Sequence, residues 1–169
     1  LEIAPAAIAT ALADFRGVDR RFQLKGMARG VTVVDDYGHH PTEIAATLEA
    51  LRQAWPERRL VLVFQPHRYS RTRDLLDDFA RVLSEVEVLF VTEVYAAGEA
   101  RIKGADGRAI CRAVRSRGTV EPVFLERVGQ IAGALRGVLQ DGDVVVTMGA
   151  GHIGAIAQQL PAQLAEAVH

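Results

Sequence analysis

The sequence has few of the features that would point to a secreted or disulfide-stapled protein. It contains one cysteine, Cys111, in 169 residues, so an internal disulfide is excluded. Its setting among Ala, Val, Ile and Arg is typical of a small buried apolar residue. These properties fit a reducing compartment, and we expect a cytoplasmic protein. A chain of this length can bury a sufficient core as one domain of ordinary or slightly larger size.

Long apolar runs and an excess of basic charge are missing as well. No stretch approaches the roughly 20 apolar residues that a membrane span requires, and no signal peptide pattern occurs. Lys and Arg total 20 against 21 Asp and Glu, which gives a net charge of −1. We therefore expect neither nucleic acid nor a membrane as a partner. The chain begins at Leu1 rather than Met, which suggests a piece of a longer protein.

Hydrophobic spacing predicts alternating strands and helices along the chain. The predicted strands are 20–26, 31–35, 60–64, 86–92, 120–125 and 143–148, and the predicted helices are 5–16, 41–55, 71–84, 110–117, 128–139 and 153–167. Asp106 is expected to cap the fourth helix. The first two strands are expected to form an antiparallel hairpin. The alternation predicts an α/β fold, a doubly wound and mainly parallel sheet with helices on both faces.

Chemically versatile side chains follow four of the predicted strands. In open parallel sheets, ligands bind beyond the carboxyl ends of the strands. The segments at these ends are Asp-Asp-Tyr-Gly-His-His at 35–40, Gln-Pro-His-Arg at 65–68, Glu-Val-Tyr at 93–95 and Gly-Ala-Gly-His at 149–152. Four of the five histidines lie in these segments, and the fifth is His169. We expect the functional site at this edge of the sheet.

The acidic and histidine residues of the first segment permit more than one interpretation. Asp35 or Asp36 could cap the following helix, or one of them could bind a ribose or Mg²⁺. Adjacent residues point in different directions, so we expect only one of His39 and His40 to face the site. No i, i+4 histidine pair and no cysteine cluster supports a metal site, and none is predicted.

Arginines gather at the start of the third predicted helix. Arg68 and Arg71 are three residues apart and share a helix face, with Arg73 just beyond. Cations are unfavourable at the positive end of a helix dipole unless an anion binds there. A solvated charged run is the alternative, but the placement after a buried strand favours an anion clamp. Arg can hold a carboxylate or a phosphate through two parallel hydrogen bonds.

The segment 149–154 matches the G-x-G-x-x-G pattern between a strand and a helix. That context is typical of dinucleotide binding, but the pattern follows the last strand rather than the first. A tight turn with close helix packing is a second interpretation. A third is that the helix N-terminus faces an anionic or polar substrate.

Four segments together resemble the C-terminal domain of the Mur ligases, the ATP-dependent ligases of peptidoglycan synthesis. They are 36–43, 64–73, 93–99 and 149–151, and they agree with the family in order and spacing. The Tyr-Gly before His-His-Pro and the Gln-Pro-His-Arg segment favour the branch that joins L-alanine to UDP-N-acetylmuramate over the branch that uses the murein tripeptide. The resemblance implies a Rossmann-like C-terminal domain at 18–169, preceded at 1–17 by the end of a central domain and the hinge.

The resemblance also implies the reaction. ATP would phosphorylate the muramoyl carboxylate, and the L-alanine amine would then attack the acyl phosphate. The chain has no P-loop sequence, and Lys25 and Lys103 are its only lysines. ATP and Mg²⁺ would therefore be bound mainly by a central domain outside this sequence, and the fragment would be inactive alone.

Residue roles carry over by the same resemblance. Asp36 would contact the ATP ribose and Arg21 the phosphates, with Arg20 as the other choice for the phosphates. Catalysis would depend on His39, Arg68 and Arg71. The residues expected to bind the muramoyl and alanine substrates are Tyr37, His39, His67, Arg68, Arg71, Gly149, Ala150 and Gly151.

Three other classes of protein compete with this interpretation. A nicotinamide-binding domain would depend on the glycine-rich turn alone. A metal-dependent hydrolase would depend on Asp35, Asp36, His39 and His40. A pure interaction module would predict no ligand in the cleft, against the convergence of polar loops at one edge.

Overall fold

A computed structural model describes residues 3–14 and 18–166 of the chain. The strands are β1 Gln23–Ala28, β2 Val31–Asp36, β3 Leu60–Phe64, β4 Val88–Thr92, β5 Val123–Leu125 and β6 Val144–Met148. The helices are α1 Pro5–Asp14, α2 Pro41–Ala54, α3 Tyr69–Asp74, α4 Leu76–Leu83, α5 Gly107–Arg117, α6 Ile131–Arg136 and α7 Ile153–Ala165, with a 3-10 turn at Val128–Gln130 before α6.

The six strands form one sheet in the order β1-β2-β6-β3-β4-β5. β1 pairs antiparallel with β2, and the other pairings are parallel. Every residue of β2, β3 and β6 is buried, as expected for parallel strands that are covered on both faces. The predicted hairpin and the mainly parallel sheet are confirmed.

Helices cover both faces of the sheet, as predicted. On one face, α2, α4 and α5 contribute Ile44, Phe79 and Ile110 to a buried cluster. On the other face, α6 and α7 contribute Ile131 and Leu160. The loops after β2, β3 and β4 therefore turn toward one face, whereas those after β5 and β6 turn toward the other. This divergence opens a crevice at the carboxyl edge of the sheet, where open α/β sheets bind their ligands.

Several boundaries differ from the predicted ones, among them the starts of β4 at Val88, β5 at Val123 and α5 at Gly107. Three other differences change the elements themselves. The predicted helix 71–84 is two helices, because Leu75 leaves the helical region at φ −118° and ψ 23°. The acidic first turn of α4, with Asp77 and Asp78, favours a new helix start there. Residues 20–22 lie outside β1, and Arg20 and Phe22 have positive φ values of 56° and 44°. The predicted helix 128–139 begins as a 3-10 turn, and its α-helical part ends at Arg136.

The ends of two predicted helices lie partly outside the described residues. Residues 15–17 and the last residues of the chain, including His169, belong to this part. The predicted cap at Asp106 is confirmed, because its side chain accepts from the amide of Ala109 at 2.9 Å. No helix among the described residues is long and apolar enough to cross a membrane.

Candidate active site at the carboxyl edge of the sheet

Five aromatic rings stand in contact across the carboxyl edge of the sheet. The ring centroids are 5.5 Å apart for Tyr37 and His39, 5.3 Å for His39 and His67, and 5.5 Å for His67 and Tyr95. His152 completes the row at 4.7 Å from Tyr95. The rings follow β2, β3, β4 and β6, so this aromatic row joins the ends of four strands.

Two clefts lie along the aromatic row. The larger has a volume of about 620 Å³ and is lined by Tyr37, His39, His40, His67, Arg68, Ser70, Arg71, Asp74 and Leu75. We call it the arginine cleft, because it contains both arginines of the predicted clamp. The other has a volume of about 580 Å³ and is lined by side chains that include Gln65, Tyr95 and His152. The five predicted residues Tyr37, His39, His67, Arg68 and Arg71 thus meet in one cleft.

The two adjacent histidines have different partners, although both line the arginine cleft, where only one was predicted to face the site. The Nδ1 atom of His40 accepts from the Thr42 amide at 3.3 Å and caps α2, so neither Asp35 nor Asp36 is the cap. The Nδ1 atom of His39 lies 3.2 Å from the carbonyl oxygen of Tyr37. Because a carbonyl can only accept, Nδ1 of His39 carries the proton, and a neutral ring leaves Nε2 free to accept one.

Glu43 fixes the loop that carries these rings. Its Oε2 atom accepts from the amides of His39 at 2.9 Å and His40 at 3.1 Å. Burial raises the pKa of Glu43, but these two amides, the nearby His39 ring and Arg21 together hold it below its ordinary value. The carboxylate is therefore charged at neutral pH and completes a capping box with His40.

His67 and Arg71 form a pair inside the arginine cleft. Nη1 of Arg71 lies 3.2 Å from Nδ1 of His67. A guanidinium can only donate, so Nδ1 accepts and the imidazole is the neutral Nε2–H tautomer. Burial lowers the pKa of His67, and the charges of His39, Arg71 and Arg68 lower it further. The ring therefore presents an N–H donor to a ligand at neutral pH.

Arg68 begins α3 with an unusual backbone. It has φ 72° and ψ 134°, and its amide donates to the carbonyl of Tyr95 at 2.9 Å. Its guanidinium is half exposed at the arginine cleft, 3.7 Å from Glu99. Arg73 pairs instead with its neighbour Asp74 at 2.7 Å and does not line the cleft. Of these three arginines, Arg68 and Arg71 line the cleft.

The two carboxylates after β2 are both internally bonded. Asp35 is fully buried and accepts from Nε of Arg20 and from the Thr147 hydroxyl, each at 2.8 Å. Asp36 is 4% exposed and accepts from the amides of Phe22 at 2.8 Å and Gly38 at 2.6 Å. Asp36 thereby holds the segment before β1 against the edge of the sheet.

The same contacts separate the two adjacent arginines. Arg20 is committed to Asp35 and also donates to the carbonyl of Gly149 at 2.6 Å. Arg21 is 47% exposed, lies 3.3 Å from Glu43 and stands over the ring of Tyr37 at 5.7 Å. Arg21 is therefore the more accessible cation for a ligand.

The glycine-rich turn is closely packed. Gly149 has φ 143°, and a Cβ atom there would lie 2.5 Å from the carbonyl oxygen of Gln65. A Cβ at Gly151 would lie 2.5 Å from the side-chain oxygen of Gln65, which accepts from the Ile153 amide. Both glycines are required because the turn between β6 and α7 closely approaches Gln65, which follows β3, and this is the packing interpretation of the pattern. The segment 149–151 does not line the arginine cleft.

Several residues of the site were not predicted individually, among them Gln65, Tyr95, Glu99 and His152. Gln65, Tyr95 and His152 lie in the segments noted at the strand ends, and their position there is the signal that could have identified them. Glu99 lies farther along the loop after β4, in the segment 93–99 that resembles the family, and its contacts depend on the neighbouring loop. Among residues 3–14 and 18–166, no group of three or more His, Cys, Asp or Glu side chains is arranged to hold a metal ion.

Comparisons with known proteins agree with this architecture. The chain is 57% identical over 168 residues to UDP-N-acetylmuramate–L-alanine ligase of Methylococcus capsulatus, covering 97% of the chain and 36% of that protein. It is 60% identical over 163 residues to the ligase of the same name from Halorhodospira halophila, covering 94% of the chain and 33% of that protein. The chain thus spans about a third of the length of these curated relatives.

A solved structure and a family model extend the comparison. The crystal structure of UDP-N-acetylmuramate-alanine ligase from Thermotoga maritima matches with a TM-score of 0.74 and 29% identity, covering 92% of this chain and 32% of that one. The model of the Mur ligase, glutamate ligase domain matches residues 20–151, which include the arginine cleft and four of the five rings of the aromatic row; His152 lies one residue beyond the match. The chain therefore belongs to the Mur ligase family and contains its glutamate ligase domain.

Proposed function

We propose that this chain is the C-terminal domain of a cytoplasmic ATP-dependent ligase that joins L-alanine to UDP-N-acetylmuramate in peptidoglycan synthesis. The two curated relatives at 57% and 60% identity carry that name. In this proposal residues 1–17 are the end of a preceding domain and the hinge, and residues 18–169 close over the reaction. The fragment would be inactive without the domain that binds most of ATP and Mg²⁺.

The observation that carries the proposal is the arginine cleft itself. Two guanidiniums, those of Arg68 and Arg71, and the neutral imidazole of His67 line one open cavity. A cavity with two cations and an N–H donor suits a carboxylate ligand, which accepts bidentate hydrogen bonds from Arg. The carboxylate of L-alanine fits this requirement. Tyr37 and His39 would contact the muramoyl end of the other substrate.

The reaction needs the amine of L-alanine in its neutral form. ATP converts the muramoyl carboxylate to an acyl phosphate, and the amine displaces phosphate from the acyl carbon to form the amide. His39 has an Nε2 atom that can accept the proton released by the ammonium group, while Tyr37 holds its Nδ1–H. The clamp contributes orientation, which is worth effective molarities of about 10⁵ to 10⁸ M in favourable cases.

Two residues are proposed to face ATP. Arg21 fits a phosphate contact, because its guanidinium is half exposed above Tyr37. Asp36 has one remaining lone pair on each oxygen, but its burial means that a ribose can reach it only if the segment 20–22 shifts. We assign Mg²⁺ to the preceding domain.

Steady-state kinetics of the complete ligase tests the proposal. We expect Arg68→Ala to raise the KM for L-alanine at least tenfold, because the variant loses a charge-assisted hydrogen bond that contributes about 1.5 to 3 kcal/mol. The KM for ATP should remain within a factor of about two.

Arg73→Ala is the matched control, because it removes an arginine of the same helix that pairs with Asp74 and does not itself line the cleft. Equal alanine kinetics in the Arg68 and Arg73 variants would remove Arg68 from the site. A preference for the murein tripeptide over L-alanine as the amine substrate would instead identify the other branch of the family.

A further inference from the structure

We propose that Glu99 is a positioning residue for the arginine clamp, which it holds from the loop after β4. This inference rests on the proposed function, because it names what orients Arg68 toward the substrate carboxylate. Glu99 would not touch the substrate. It would act by capping α3 and by restraining the guanidinium of Arg68 at the edge of the arginine cleft.

The first turn of α3 takes its cap from another loop. Helix N-termini leave amides without intrahelical partners, and a nearby side chain usually accepts from them. The N-cap residue here is Arg68, which provides no side-chain acceptor. Glu99 supplies it, because Oε2 accepts from the Ser70 amide at 3.0 Å and Oε1 from the Ser70 hydroxyl at 2.6 Å.

The same carboxylate restrains the side chain that is to bind the ligand. Oε1 of Glu99 lies 3.7 Å from Nη1 of Arg68, and no other acidic residue pairs with Arg68 in the described part of the chain. An unrestrained arginine loses rotamer freedom when it binds a ligand, which lowers affinity. A carboxylate beside the guanidinium, already in place before binding, reduces that loss.

Backbone contacts fix Glu99 relative to the clamp. The Arg68 amide donates to the Tyr95 carbonyl at 2.9 Å, and the Tyr95 amide donates to the Pro66 carbonyl at 2.8 Å. A turn follows, in which Ala97 and Gly98 have φ values of 51° and 85°. The turn returns the chain toward α3. The loop after β4 and the start of α3 therefore form one unit.

The charge of Glu99 is maintained by the contacts that define its role. The hydroxyl of Ser70 lowers the pKa of Glu99 most, followed by the Ser70 amide, and Arg68 adds to the effect. The carboxylate is therefore ionised throughout the neutral range. Replacement by glutamine keeps the size of the side chain but removes the charge and one of its two acceptor oxygens.

A double-mutant cycle in the complete ligase tests the inference. We expect Glu99→Ala to raise the KM for L-alanine about tenfold, with kcat and the KM for ATP each within about threefold of the parent. Glu99→Gln should give a smaller increase. In an Arg68→Ala background, Glu99→Ala should change the KM for L-alanine by less than about twofold, because the residue acts through Arg68.

A control variant and melting temperatures separate positioning from general stability. Glu121 pairs with Arg115 on the surface of α5, so Glu121→Gln removes a comparable charge away from the cleft and should leave the kinetics unchanged. If Glu99→Ala fails to fold, Glu99→Gln and Ser70→Ala remove single contacts and carry the same expectation. An equal increase in KM with and without Arg68 would overturn the inference, as would an unchanged KM in the Glu99 variants.

The outcomes also separate this inference from the proposed function. If Arg68→Ala raises the KM for L-alanine and the Glu99 variants do not, only the role of Glu99 is wrong. If Arg68→Ala has no effect on alanine kinetics, the proposal that Arg68 binds the alanine carboxylate is wrong, and the positioning role of Glu99 fails with it.

Discussion

Replacing Arg20 by alanine should destabilise the fold strongly, although the residue lies at the surface end of a loop. Its guanidinium is the charged partner of Asp35, whose side chain is fully buried. In the Arg20→Ala chain, Asp35 keeps only the hydroxyl of Thr147, and the carbonyl of Gly149 loses a donor. Removing one partner of a buried ion pair costs about 3 to 5 kcal/mol. We expect the free energy of unfolding to fall by about 3 kcal/mol, because Arg20 itself retains some solvent contact.

The adjacent residue provides the control. Arg21 pairs with Glu43 at 3.3 Å, with both side chains partly or largely exposed. Such pairs contribute about 0 to 1 kcal/mol. Arg21→Ala should therefore cost at least about 2 kcal/mol less than Arg20→Ala, by comparison of these two ranges.

Urea unfolding of the 169-residue chain measures both effects. Far-ultraviolet circular dichroism reports the helices, and fluorescence reports Trp55, the single tryptophan. An unchanged m-value would assign the shift in midpoint to stability. The double variant Arg20→Ala with Asp35→Ala should cost less than the sum of the single variants, because it leaves no unpaired charge. A difference of less than about 1 kcal/mol between the Arg20 and Arg21 variants would refute the reasoning, given the ranges above.

Two further predictions concern the glycine-rich turn and the partly buried imidazole of His67. Gly149→Ala should destabilise the chain by about 2 kcal/mol or more in urea unfolding, because of its positive φ and the contact with Gln65, whereas Gly133→Ala, in open space within α6, should stabilise it slightly. His67 should titrate below 6.5 in a proton NMR titration, and Arg71→Ala should raise its midpoint. Because the unfolded state binds the proton first, the free energy of unfolding contributed by His67 is fully present above pH 6.5 and falls as the pH falls below 6.5. A titration midpoint at or above 6.5 would contradict this.

The sheet was predictable because its signal is local. Continuous apolar runs such as Leu60 to Phe64 are typical of strands whose two faces are both buried. Their alternation with helices along the chain predicts parallel pairing. The gathering of polar residues at the strand ends followed from the same logic. The break at Leu75 was not predictable, because Leu75, Phe79 and Leu83 keep a helical spacing across it.

The hydrogen-bond and ion-pair partners of single side chains could not be predicted from the sequence, because they depend on contacts between distant segments. Nothing in adjacent Arg20 and Arg21 distinguishes the one that meets Asp35 from the one that remains accessible. An aspartate was one candidate for the cap of α2, yet an imidazole provides it through the local geometry of the loop. The roles of Asp36 toward the ribose and of His39, Arg68 and Arg71 in catalysis stay predictions for the experiments above.

The aromatic row gives this edge of the sheet a built-in reporter. Each ring lies within 6 Å of the next, so the magnetic field of one ring shifts the proton resonances of its neighbours. A ligand or a partner domain that displaces only the loop after β2 would alter the signals of Tyr37 and His39 and leave those of Tyr95 and His152 in place. Closure of the whole edge would move all five together, and chemical shifts alone would distinguish a local adjustment from a concerted one.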